Sequence, residues 1–169
     1  MKYEVARPVG QLLVAVSAFL ILVPLMNVGL QVVPWRPGDM NWRFGAWGFL
    51  LGAMTFPVVG IGLLGVAAVI LESLAVARVA VLVASLFLVG AVVGLADFVI
   101  QGSSLKAAAT EATMKALFEQ EIRRTVLVSV LALPALAVMT IGSYRLLKGM
   151  RSAVAEGQGS SPLIRAGGK

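Results

Sequence analysis

The sequence predicts an all-α integral membrane protein: a four-helix transmembrane bundle with an amphipathic helical extension just before its fourth membrane helix. Three observations lead there. Of 169 residues, 59% are hydrophobic and 13% charged, whereas a soluble domain is about half apolar and a quarter charged. A fold of this size still exposes much of its surface, so the apolar excess calls for lipid as solvent. Four segments, over 9–33, 44–71, 79–100 and 125–147, reach the length of about 20 apolar residues that spans a hydrocarbon core. None shows the strict apolar/polar alternation of a membrane β-barrel strand.

The first segment follows a basic start, Lys2 and Arg7. Its apolar stretch is too long for a cleaved signal peptide and no small-x-small site follows it, so it reads as an uncleaved signal anchor. The loop after it, Pro34 to Arg43, holds two prolines and a glycine that stop the helix and force a turn. Trp35, Trp42 and Trp47 cluster there, where indole rings favour the membrane interface, and Arg36 and Arg43 are in reach of headgroup phosphates. The second connection, Glu72 to Arg78, is too short to hold a site and makes its flanking helices an antiparallel hairpin.

Gly102-Ser103-Ser104 is expected to end the third span and to cap a new helix. The stretch 104–124 is alanine-rich, with charges spaced i,i+4 at Glu111, Lys115, Glu119 and Arg123. Met114, Phe118 and Ile122 fall together on another face, a candidate partner face. No breaker separates this stretch from the fourth span, so it either projects as one long helix or bends to lie on the surface. Residues 1–147 form the four-span domain, and 148–169, ending in Gly, Ser and basic residues, a basic tail expected to be disordered.

Composition excludes much chemistry. The chain has no cysteine and no histidine. Disulfides, thiolate and imidazole metal ligands, and Ser-His-Asp or Cys-His catalysis are therefore ruled out. No paired-carboxylate arrangement emerges, and every lysine lies outside the spans. No enzyme activity and no cofactor or metal site is expected. The formal charge is +6, but the basic residues flank membrane segments, so they read as orientation and headgroup contact and not as a nucleic-acid surface. With both termini cytoplasmic, inside segments carry Lys2, Arg7, Arg78, Arg145, Lys148, Arg151, Arg165 and Lys169, against Arg36, Arg43, Lys106, Lys115, Arg123 and Arg124 outside. The eight-to-six balance leans toward cytoplasmic termini in a plasma or bacterial inner membrane.

Gly60-Ile61-Gly62-Leu63-Leu64-Gly65 matches a dinucleotide-binding pattern. It lies inside a span and not between strand and helix, so packing is the better reading. Gly48/Gly52 and Gly90/Gly94 are GxxxG steps that let helix backbones approach closely. Gly45 and Ala53 extend the first small-residue side, and Ala80, Ala84 and Ala91 the second. Pro24, Pro57 and Pro134 fall within spans and can kink them.

Polar residues at membrane depth are the main functional pointers. Asn27, Gln31, Asp97 and Gln101 lie at similar depth near one face, where Arg43 opens the second span and Arg124 precedes the fourth. Asp97 is expected to pair with Arg43 or Arg124, either as part of a polar pocket or as a hydrated interfacial charge. The inner part of the bundle holds no charge, which argues against a proton-coupled transporter.

The four-span plan is similar to that of small multidrug-resistance transporters and claudin-like junction proteins. The first require an acidic residue within the first span, and the second a cysteine pair and a large first outer loop. This chain has none of these. The expectation is a non-catalytic accessory or scaffolding subunit, whose partners are the bilayer and other membrane subunits or copies of itself. The alternative is a small oligomeric transporter or ligand-binding protein using the outer polar cluster.

Overall fold

The computed structural model describes residues 2–159. Among them every regular element is a helix, and there are five: α1 (Lys2–Gln31), α2 (Met40–Gly52), α3 (Thr55–Ile70), α4 (Leu74–Ala108) and α5 (Ala112–Gly159). Helices α1, α4 and α5 are each long and apolar enough to cross a membrane, and α2 and α3 meet that test only together, as a pair bent by 44°.

The bend is a departure from the uninterrupted second span expected over 44–71. Its cause is local. Pro57 falls in the first turn of α3, so it donates no hydrogen bond, and its ring crowds the carbonyl four residues back, at Ala53. The helix gives way there: the Met54 amide reaches back only to Leu51 and that of Phe56 only to Ala53. Pro24 and Pro134, by contrast, lie inside continuous helices.

Two further boundaries differ from expectation. Gly102-Ser103-Ser104 does not end the third span: α4 runs through it to Ala108. The Ser104 hydroxyl donates back to the Ile100 carbonyl at 2.9 Å and so serves the existing helix without capping a new one. The break falls instead at residues 109–111. At the other end, α5 continues past 148 through Gly159, since Lys148 to Val154 offers good helix formers and only a single glycine. The rest of the expected tail, 160–169, lies outside the described residues.

The stretch before the expected fourth span is helical from Ala112 onward and continuous with it. It is the first part of α5, collinear with the span, and it folds back along the end of α4 as a helical hairpin. Lys106 donates to Glu119 across that hairpin at 2.8 Å, and this hydrogen bond holds the Glu119 carboxyl below the usual carboxylate range. With 48 residues, α5 is about 72 Å long at 1.5 Å per residue, far more than a hydrocarbon core of about 30 Å requires.

Helices α4 and α5 pack along each other, α2 and α3 lie against both, and α1 rests mainly on α3. The core centres on Leu51, Met54, Ile61, Ala84, Ala91, Phe98 and Leu136, with a smaller cluster of Ala68, Ala77 and Leu147 at the opposite end. The α1–α3 crossing depends on Gly60. A Cβ there would sit 2.9 Å from Ile21 Cγ1 and 3.0 Å from the Ser17 carbonyl oxygen. Beneath it the buried Ser17 hydroxyl donates to Leu13 at 2.6 Å, so no polar group at the crossing is orphaned. The dinucleotide-like glycine run therefore lies in mid-helix, and its first member is a packing glycine.

A Schellman turn joins α3 to α4: the Ser73 amide donates to Ala68 and the Glu72 amide to Val69, each at 3.2 Å. Glu72 occupies the left-handed position with φ 47°, which glycine adopts without steric cost. Glu72→Gly is expected to stabilise the protein by about 1 kcal/mol, read as a raised unfolding midpoint in detergent. Gly60→Val should have the opposite sign, costing about 1–3 kcal/mol by overpacking, and the same melt would detect it.

Candidate functional site

Helix α2 starts cleanly because Asp39 caps it: its Oδ1 accepts from the Asn41 amide at 2.8 Å and from that of Trp42 at 3.4 Å. That start sets the azimuth of everything after it. Trp42 turns back toward α1 and donates its indole N–H to the Val32 carbonyl at 2.7 Å, while Trp35 stacks edge-on against it with centroids 4.8 Å apart. Arg43 and Trp47, one turn apart, face α4.

On α4, Gly94, Asp97 and Gln101 follow at i, i+3 and i+7, one helical face. The two faces mesh at Asp97. Arg43 donates through Nε to Oδ2 at 3.1 Å and through Nη2 to Oδ1, a bidentate ion pair. Trp47 donates Nε1 to Oδ2 at 2.8 Å. Gln101 donates Nε2 to Oδ1 at 3.2 Å. Gly94 makes the approach possible: a Cβ there would overlap the Trp47 ring. Next to it, Phe98 stacks on Phe44 with centroids 4.5 Å apart.

A carboxylate offers about four lone-pair sites, and Asp97 accepts four hydrogen bonds. Its side chain is 17% exposed. The arrangement clamps α2 to α4 and leaves the carboxylate no free acceptor direction. Of the two expected partners, Arg43 takes it.

The other members of the expected polar cluster lie elsewhere. Arg124 lines a separate cleft between α2 and α5, together with Glu121. Asn27 and Gln31 line a groove of ≈330 Å³ between α1 and the α2–α3 pair. The six residues thus divide into three places, with Arg43, Asp97 and Gln101 together. Beside these three, Trp35, Trp42 and Trp47 line a recess of ≈470 Å³ that reaches Asp97.

Of the packing glycines, Gly94 lies under Trp47 and Gly48 meets Phe98, but Gly52 and Gly90 face open space. The candidate partner face divides too. Phe118 packs edge-on against Phe44, and Ile122 side-chain atoms lie 2.8 Å from where a Gly102 Cβ would be. Both are held within the chain, and Met114 remains exposed.

Sequence alone groups Trp47 with the interface indoles and misses its hydrogen bond to Asp97. Its signal was its spacing, four residues beyond Arg43, and the glycine three residues before Asp97. No group of three or more potential metal ligands occurs among the described residues. No protein-family model matches the chain, and neither a curated protein nor a solved structure shows significant similarity to it.

Asp97→Ala is expected to lower stability by about 2 kcal/mol, the scale of hydrogen bonds to a charged group. Arg43→Ala added to it should cost little more, because both act in one network. A double-mutant cycle from melts in detergent checks this, and additive losses would show two independent roles.

Proposed function

We propose that the chain is a non-catalytic, multi-pass accessory or scaffolding subunit of a larger membrane complex. In this reading the bent α2–α3 pair counts as one crossing. The chain then spans four times as an antiparallel bundle, with both termini cytoplasmic in a plasma or bacterial inner membrane. The observation that supports the role is the saturated Asp97 carboxylate. An intramembrane acid that binds protons, ions or substrates needs an acceptor direction open to them, and this one is tied up in joining two helices.

A partner helix has a place to approach. On α4, Leu82, Leu86, Val89 and Val93 are all exposed at alternating spacings of four and three residues, the periodicity of a helix–helix seam. Gly90 lies beside them with open space above its backbone. Small residues favour helix association in lipid, where apolar area alone gives no drive.

The tryptophan-lined recess favours a second reading, a binder of a small apolar or aromatic molecule. Under it, Asp97→Asn would abolish binding while leaving the protein folded. Under the subunit reading that change weakens the fold alone.

Mild-detergent purification of a tagged copy from its host, followed by native gel and mass spectrometry, is the direct test. A partner of fixed stoichiometry is expected, and Gly90→Leu should release it with no loss of thermal stability. Recovery of the chain alone, or only as a homo-oligomer, would count against the subunit role.

A further inference from the structure

A cleft of ≈610 Å³ lies between α2 and α5. Its α2 wall includes Gly45, Gly48, Phe49 and Gly52, and its α5 wall includes Glu121, Arg124 and Val128. A Cβ on Gly45 or Gly52 would meet no atom within 4 Å. Close packing inside the chain therefore does not account for these two glycines, and their missing side chains leave the space open.

The mouth is charged. Glu121 and Arg124 are one helical turn apart, just before the apolar run of α5. Neither lies within ion-pair distance of an opposite charge among the described residues, where the pairs are Arg43–Asp97 and Lys106–Glu119. From Phe44 to Ala53 the α2 wall extends about 14 Å at 1.5 Å per residue, roughly half of a 30 Å hydrocarbon core. The cleft thus has the depth of one leaflet, an apolar body, and one positive and one negative charge at its entrance.

We propose that this cleft holds one phospholipid whose headgroup carries both a phosphate and a primary ammonium, as in phosphatidylethanolamine. The phosphate accepts hydrogen bonds from the Arg124 guanidinium. The ammonium donates to Glu121, and an acyl chain lies along Gly45, Gly48 and Gly52. A headgroup with phosphate alone would leave Glu121 facing an anion. A quaternary choline has no N–H to donate to that carboxylate.

The full chain, reconstituted in nanodiscs with equal phosphatidylethanolamine, phosphatidylcholine and phosphatidylglycerol, is released and weighed by native mass spectrometry. One retained phosphatidylethanolamine per chain is expected, preferred about tenfold over each of the others, the scale of one well-placed charged contact. Glu121→Gln should erase the preference over phosphatidylcholine while lipid is still retained. Arg124→Gln and Gly45→Leu should each abolish retention. A diazirine-acyl phosphatidylethanolamine should label Phe49 and Val128 in the unmutated chain, a readout that does not depend on any variant folding. Equal retention of all three lipids, a preference that survives Glu121→Gln, or labelling that misses both residues would overturn the proposal. So would a co-purifying polypeptide that Gly45→Leu displaces, which would assign the cleft to a partner helix.

Discussion

Within a bilayer, a polar group without a partner is costly, because no water stands ready to replace one. Asp97 is where this constraint shapes the protein. Satisfying one carboxylate draws in Arg43 and Trp47 from α2 and Gln101 from its own helix. Those contacts fix the rotation of α2 about its axis, and the Asp39 cap fixes where α2 begins. The aromatic stack of Phe44 on Phe98 and the edge contact to Phe118 then follow as neighbours of a helix already placed. The α4–α5 hairpin is thereby tied to the same end of the molecule.

The apolar contacts are organised by what is missing. Gly94 makes room for an indole, Gly60 for the backbone of α1, and Gly102 for Phe44 and Ile122. Each is a place where a methyl group would push helices apart: α2 from α4 at Gly94, α1 from α3 at Gly60, and both α2 and α5 from α4 at Gly102. Dispersion between close surfaces replaces the hydrophobic effect as the cohesive force between helices in lipid. Precise fit at a few glycines consequently matters more here than total apolar area.

The long apolar segments were plain in the sequence because lipid demands a continuous run, and a run is visible without knowing its neighbours. The continuity of the helix through Thr125 followed from the lack of a breaker before that residue. The bend at Ala53 was harder to place. Pro57 was visible, but whether a proline curves a helix or breaks it depends on what packs around the freed carbonyl. Gly102-Ser103-Ser104 misled because serine caps helices as readily as it bonds back within them, and only the fit of Gly102 beneath Phe44 and Ile122 decides between the two. The Asp97–Arg43 pairing was one of two options by depth alone. The azimuth that selects it comes from the cap at Asp39 and the seat of Trp47 on Gly94, both of which need coordinates. Phe118 and Ile122 looked like an outward face because a helix considered alone has no inside.

The length of α5 has a mechanical consequence. Pro134 divides it into arms of about 33 Å and 38 Å at 1.5 Å per residue, one toward Ala112 and one toward Gly159. A proline with no backbone N–H is the natural fulcrum of such a rod. Any change of kink angle at Pro134 would swing the two ends of the helix relative to each other, over arms of nearly equal length.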